Sequence, residues 1–284
     1  MLKPKPFLRW AGGKTQLLPE LLAHIPSTWN RETDFYVEPF VGAGALFWEL
    51  QPAHAILNDA NEELINIWHS LQCRSEELIS HLCEVATSYA KEPEKLYYEL
   101  RNLPEGECRT TCSPCGAART IFLNKAGFNG IYRVNAKGGF NVPWGHNPKA
   151  NVCDEANLRA CAQSLKDWNV DLRSGDFADA FPNPAAGSLV YLDPPYVPVS
   201  KTSNFTAYTV DGFKYVDQLR LVQYAVWLRD CGCHVMLSQA ADEILIDQYR
   251  RCGFKCDLVQ ARRSVNSKGG KRGPVGEYII YGGK

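Results

Sequence analysis

Nowhere in the 284 residues is there a run of 18 uncharged apolar side chains, and a helix that crosses a bilayer needs about 20. The opening Met1-Leu2-Lys3-Pro4-Lys5-Pro6 also lacks the apolar stretch of a secretory signal. The expectation is a cytoplasmic chain with no membrane partner, whose eleven cysteines are reduced thiols rather than a disulfide framework. Net charge is missing too, since 31 Lys and Arg balance 31 Asp and Glu. Global charge therefore announces no nucleic-acid partner. Repeats and low-complexity tracts are absent. What remains is an ordinary globular composition, 45% hydrophobic and 22% charged, long enough for an α/β core with one inserted subdomain.

Acidic residues are themselves absent from two stretches. Between Glu107 and Asp154 stand six basic residues (Arg109, Arg119, Lys125, Arg133, Lys137, Lys149), and between Asp257 and Glu277 stand five (Arg262, Arg263, Lys268, Lys271, Arg272). Such stretches are the local footprint of a polyanion-binding surface; the bland alternative is a solvated face.

Two glycine motifs each fall short of a familiar nucleotide signature. Gly12-Gly13-Lys14-Thr15 ends like a phosphate loop, but Leu8 occupies the position where that loop needs its first glycine, and no strand precedes it. No triphosphate site is expected, although the glycines let the backbone approach a ligand beside the flat face of Trp10 and the charge of Lys14. Asp34 to Phe47 reads as strand, turn and helix start around Gly42-Ala43-Gly44, with Phe47 at the third glycine position of a dinucleotide fingerprint. A second strand, Ala53 to Asn58, ends on Asp59. An acid at that strand end accepts ribose hydroxyls, so the two elements specify a nucleoside without a diphosphate, a description that S-adenosylmethionine fits.

The strongest local signal is Ser188-Leu189-Val190-Tyr191-Leu192 running into Asp193-Pro194-Pro195-Tyr196. A short apolar run stopped by two prolines predicts a buried parallel strand with a carboxylate at its carboxyl edge, where open α/β sheets bind ligands. Asp193 and the Pro194 carbonyl can each accept an N–H of an exocyclic amine, leaving the nitrogen lone pair aimed at an electrophile while Tyr196 stacks on the ring. That chemistry is alkylation of a planar amine.

Helical spacing covers Asn61 to Leu71, Ser75 to Ala90, Pro93 to Leu103, Ala117 to Ala126, Asp154 to Lys166, Tyr215 to Cys231 and Asp242 to Arg251. Strands are predicted at Asn169 to Arg173 and Cys233 to Ser238, and an antiparallel pair at Phe254 to Arg262 and Val275 to Tyr281. Gly127 to Asn135 and Gly138 to Gly145 read as a hairpin whose aromatic and basic residues suit DNA grooves. Cys108, Cys112 and Cys115 could hold zinc only with a fourth ligand such as Cys153 or Cys161, and they lack paired Cys-x2-Cys spacing. No metal is expected, and no covalent cysteine mechanism.

Taken together, these motifs resemble the Dam-type DNA adenine-N6 methyltransferases. The matching stretches are Phe7 to Lys14, Glu38 to Gly44, Gly127 to Gly145, Asp193 to Tyr208 with Asn204-Phe205-Thr206-Ala207-Tyr208, and Arg262-Arg263-Ser264. The resemblance implies a Rossmann-like α/β methyltransferase sheet, residues 1–60 and 167–284, with residues 61–166 as an inserted, mostly helical DNA-recognition subdomain that contains the hairpin. It implies that Trp10, Lys14, Phe40, Gly42, Asp59 and Asp193 line an S-adenosylmethionine site, and that Asp193, Pro194, Pro195 and Tyr196 hold a flipped adenine. Arg9, Asn129, Ile131, Arg133 and Pro143 would face duplex DNA, with GATC the usual target and a monomer or weak dimer the acting form. Arg9 stands where family members often have Lys. A cytosine-N4 methyltransferase and an idle DNA-binding regulator on the same fold are the alternatives.

Overall fold

The computed structural model describes residues 2–10, 12–103, 113–135, 138–196, 213–261 and 275–283. After an irregular N-terminal segment the chain forms α1 (Leu18–Ala23), β1 (Phe35–Glu38), α2 (Ala45–Leu50) and β2 (His54–Asp59). Four helices follow: α3 (Glu62–Cys73), α4 (Ser75–Tyr89), α5 (Pro93–Arg101) and α6 (Pro114–Ala126). Next come α7 (Glu155–Asp167), β3 (Asn169–Ser174), β4 (Leu189–Leu192), α8 (Tyr215–Asp230), β5 (His234–Ala240) and α9 (Glu243–Arg251). The last two strands are β6 (Lys255–Ala261) and β7 (Val275–Gly282). Helix starts follow their polar residues: the side chains of Asn61, Ser113, Asp154 and Asp242 each accept a backbone N–H of the first turn.

The seven strands of the described residues form one sheet in the order β3-β2-β1-β4-β5-β7-β6. Pairings from β3 through β5 are parallel, and β7 runs antiparallel to both its neighbours. Side chains of β1 and β4 alternate between the faces. Tyr36, Leu189 and Tyr191 enter one core with α2 and α3, whereas Val37, Val190 and Leu192 enter the other with α8 and α9. Both strands are covered on both faces, which is why they read as unbroken apolar runs.

A third, smaller core gathers Tyr89, Tyr97, Phe122, Leu123, Tyr132, Phe140 and Val142 under the segment from 127 to 145. Helix α6 joins it to the first core: Ala117, Ala118 and Ile121 pack toward the sheet, and Phe122, Leu123 and Ala126 pack toward the smaller cluster. The hairpin expected over 127–145 exists as two antiparallel bridges, Gly127 with Trp144 and Val134 with Phe140, rather than as a continuous ladder. Tyr97 pins it by donating to the Val142 carbonyl at 3.0 Å, and the Trp144 indole donates to the Tyr89 hydroxyl at 2.9 Å.

The turn after β1 uses its glycines for space. Gly44 has φ +66°, and a Cβ there would sit 2.7 Å from Cη2 of Trp68, whose ring stacks on Trp48 at 5.2 Å. Gly44→Ala therefore incurs a left-handed backbone penalty of about 1–2 kcal/mol and must also displace a buried indole. A lowered urea midpoint at unchanged slope is the expected result; an unchanged midpoint would show that the turn relaxes freely.

Candidate active site

Three carboxyl groups meet at the carboxyl ends of neighbouring strands: Glu38 closes β1, Asp59 closes β2, and Asp193 follows β4. Each is held differently. Asp59 accepts the Gly42 N–H at 3.1 Å and the Asn61 N–H at 3.0 Å. Burial raises its pKa to about 6, against the opposing pull of those two amides. The neighbouring Asn58 amide donates to the carbonyls of Pro39 at 3.0 Å and Gly175 at 3.1 Å, tying together the loops after β1 and β3. Glu38 is buried and accepts the Tyr36 hydroxyl at 3.0 Å. Burial pushes its carboxyl well above the usual range, reinforced by the charges of Asp193 and Asp59.

Asp193 receives Lys14 Nζ on Oδ1 at 2.7 Å. The same ammonium donates to the Gly12 carbonyl at 2.7 Å and stands 3.5 Å from Glu277 Oε1. Burial alone would lower the pKa of Lys14; the charges and hydrogen bonds of Asp193 and Glu277 outweigh it and raise the value. Asp193 is likewise raised to about 6 by burial, with Lys14 holding it from rising further. Both groups are thus ionised at pH 7. The Tyr196 hydroxyl donates to Glu277, and Lys14 Nζ lies 4.9 Å from the Tyr196 ring centroid. Pro195 is engaged from behind: its carbonyl accepts Gln218 Nε2 at 3.0 Å, and Gln218 Oε1 accepts Gln239 Nε2 at 2.9 Å, with both glutamines fully buried.

Trp10 lies over Gly42, where a Cβ would be 2.9 Å from its Cδ1, and stacks on Tyr132 at 5.1 Å and 29°. Phe40 stacks on Phe177 at 5.3 Å and meets the edge of Phe213 at 5.8 Å. Trp10, Lys14, Gly42, Asp59 and Asp193 thus belong to one connected cluster, linked through Glu38, whereas Phe40 packs with the aromatic rings of the second core. Sequence reasoning passed over Glu38, Gln218, Gln239 and Glu277. The signal available for Glu277 was a single acid within the apolar run Val275 to Tyr281.

The residues expected at DNA divide into two groups. Arg9 is exposed, and the buried Asn124 fixes its backbone, accepting the Arg9 N–H at 2.9 Å and donating to the carbonyls of Arg9 at 2.7 Å and Gly130 at 3.0 Å. Arg9, Trp10, Asn129 and Ile131 line a cleft of about 310 Å³ that shares Trp10 with the carboxylate cluster, although neither Asp59 nor Asp193 lines it. Asn129 is exposed with φ +56°. Farther along, Arg133 donates through Nε to Asn141 Oδ1 at 2.7 Å and through Nη2 to the Asn141 carbonyl at 3.3 Å. Pro143 is exposed, its carbonyl taken by the Phe128 N–H at 2.9 Å.

Of the cysteines, Cys115 is exposed at the start of α6, Cys153 lies with its sulfur 3.7 Å from that of Cys83, and Cys161 is buried against the Lys5 carbonyl. Among the described residues no group of three or more His, Cys, Asp or Glu could hold a metal ion. No described helix is long and apolar enough to cross a membrane. Cys108, Cys112, the stretch from Asn204 to Tyr208, and the basic residues Arg109, Lys137, Arg262, Arg263, Lys268, Lys271 and Arg272 lie outside the described residues.

The strand order, with its single antiparallel member, and the carboxyl-edge cluster define a Rossmann-like methyltransferase fold. Comparison with known sequences narrows the class. The profile of the D12 class N6 adenine-specific DNA methyltransferases matches residues 10–264, and the chain belongs to that family. It is 37% identical over 278 residues to the type II methyltransferase M1.LlaDCHI of Lactococcus lactis subsp. cremoris, covering 97% of this chain and 94% of that one. The type II methyltransferase M.MjaIII of Methanocaldococcus jannaschii is 37% identical over 285 aligned positions, 95% of this chain and 96% of the relative. The DNA adenine methylase of Escherichia coli K12 is 34% identical over 280 residues, 98% and 95% of the two chains.

Proposed function

We propose that this chain transfers a methyl group from S-adenosylmethionine to N6 of an adenine flipped out of duplex DNA, with GATC as its target. The observation that carries the proposal is Asp193: a carboxylate at the sheet's carboxyl edge, one oxygen taken by Lys14, with an aromatic ring two prolines further on. The second oxygen is left to accept one N6–H of the base, the Pro194 carbonyl takes the other, and Tyr196 stacks on the purine. Held so, the nitrogen lone pair points out of the base plane. The proton lost from N6 after transfer leaves along the hydrogen bond to Asp193, whose pKa near 6 lets it hold a proton transiently.

The donor set fits S-adenosylmethionine. Asp59 is anchored by two amides yet keeps lone pairs for ribose hydroxyls, Gly42 presents backbone where a Cβ has no room, and Asn61 Nδ2 beside Asp59 is a buried donor with no hydrogen-bond partner among the described residues. When bound, that group supplies an electrophilic methyl on a sulfonium that departs as a neutral thioether. Trp10, Lys14, Phe40, Gly42, Asp59 and Asp193 would hold it. Such a transfer asks for orientation and desolvation of the amine and gives a metal-bound water no task.

In this reading residues 1–60 and 167–284 carry the chemistry, residues 61–166 read the DNA through Asn129, Ile131, Arg133 and Pro143 together with Arg9, and the chain acts in the cytoplasm as a monomer or weak dimer. Incubation with radiolabelled S-adenosylmethionine and duplexes carrying GATC or its single-base variants tests the reaction and its target. Label on the GATC duplex alone, recovered as N6-methyladenine, is the expected outcome. N4-methylcytosine, or equal labelling of every variant, would overturn the reaction or the target respectively.

A further inference from the structure

Glu277 reaches the cluster from the far end of the chain, and nothing in the reaction proposed above uses it. It sits on β7 within an otherwise apolar run, is 9% exposed, and holds two partners that also serve Asp193 and the base-stacking position. Its Oε1 stands 3.5 Å from Lys14 Nζ and accepts the Tyr196 hydroxyl. An ammonium has three N–H donors, and those of Lys14 face three acceptors: the Gly12 carbonyl, Asp193 Oδ1 and Glu277. No donor is left to swing toward the second Asp193 oxygen.

We infer that Glu277 is a positioning residue for methyl transfer: by sharing Lys14 with Asp193 and taking the Tyr196 hydroxyl, it decides which Asp193 oxygen stays open to the amine and anchors the far end of the ring on which the base stacks. The inference rests on the assignment of Asp193 and Tyr196 made under the proposed function. Its physical content is the balance of charge and donors. Two carboxylates around one ammonium leave the trio net negative, so Lys14 cannot neutralise Asp193 fully and the free oxygen keeps its acceptor strength. Without Glu277, Lys14 would move wholly onto Asp193, and the Tyr196 ring would lose its tether.

The charged and titratable groups that bear on Asp193 come from four elements: Lys14 from the N-terminal segment, Glu38 and Tyr36 from β1, Tyr191 from β4 with Tyr196 just beyond it, and Glu277 from β7. The Glu277 carboxylate raises the proton affinity of Asp193, so replacing it by a neutral amide displaces Asp193 titration to lower pH.

The test is single-turnover methyl transfer by the full chain with saturating S-adenosylmethionine and a target duplex, run as a pH profile. Glu277→Gln should bind S-adenosylmethionine by calorimetry within a few-fold of wild type, slow the transfer step about 10- to 100-fold, and move the acid limb of its profile to lower pH. Tyr196→Phe keeps the ring and all charges. It should slow transfer without moving the acid limb, and it should add little to the loss already present in Glu277→Gln. An unmoved acid limb in Glu277→Gln, or losses that multiply in the double variant, would reduce Glu277 to a structural residue. Asp193→Asn run alongside separates the two levels. If it turns over like wild type, the assignment of Asp193 falls; if it is inactive while Glu277→Gln behaves as wild type, only the inference about Glu277 falls. Should Glu277→Gln unfold, Tyr196→Phe at full rate overturns the tether by itself.

Discussion

Asp193→Ala should lower methyl transfer by about 10²-fold or more while the protein keeps its fold, the size of effect seen when an oriented transition-state hydrogen bond is lost. Removing this carboxylate does not strand a buried charge, because Lys14 retains the Gly12 carbonyl and Glu277. Nor does it open the core, since the Asp193 side chain lies past the end of β4 and is 20% exposed. The wild-type rate should fall as pH drops through about 6, where Asp193 takes up a proton and ceases to accept. The stability sign is opposite. A carboxyl raised from 3.8 to about 6 on folding favours the native state below the unfolded value, and that contribution is lost as pH climbs through about 6. At pH 8 the alanine variant should therefore melt no lower than wild type. Near-normal turnover with an unaltered melting curve would remove Asp193 from the chemistry.

Arg133→Ala should relax discrimination at one base pair by about 1–3 kcal/mol, between roughly 5- and 150-fold in relative kcat/KM, if its guanidinium reads a base edge. The support is the Asn141 clamp, which takes both Nε and Nη2 and so orients the guanidinium. Asn141→Ala should then produce a weaker loss at the same base pair. Lys271→Ala is the contrast, expected to weaken every duplex alike and to flatten the salt dependence. Measuring kcat/KM on cognate and singly substituted duplexes decides the matter. Equal losses on all duplexes for Arg133→Ala would move that residue to the phosphate backbone.

Much of this molecule is legible in its sequence because strands β1, β2 and β4 announce their ends. Each apolar run stops at Pro39, Asp59 or Asp193, and in a parallel sheet such stops line up at one edge. The helices were equally open to reading, since Asn61, Asp154 and Asp242 stand immediately before apolar periodicity. What the sequence conceals is adjacency between distant strands. Glu277 meets Lys14 only because β7 inserts between β5 and β6, and alternation along a strand carries no information about which strand lies beside it. The segment from Gly127 to Gly145 reads as a hairpin around Asn/Gly-rich tips. Gly138 and Gly139, and Pro143 with no N–H to give, leave bridges where a ladder was expected. The proximity of Cys83 to Cys153 was equally invisible, for their spacing follows no motif.

Helix α6 has a further consequence, in the currency of cooperative unfolding. Nearly every side chain from Ala117 to Ala126 is buried, some in the sheet's core and some in the smaller core beneath the 127–145 segment. A surface that reads a polymer is often carried on a unit that opens by itself, at a fraction of the global free energy. Here the helix beneath the 127–145 segment cannot open without exposing the core against which β1 and β4 pack. Asn124, in the last turn of that helix, holds Arg9 and Gly130 together. The placement of Arg9 beside Gly130 therefore persists for as long as the core under β1 and β4, and a thermal or chemical stress that loosens it has already begun to open that core.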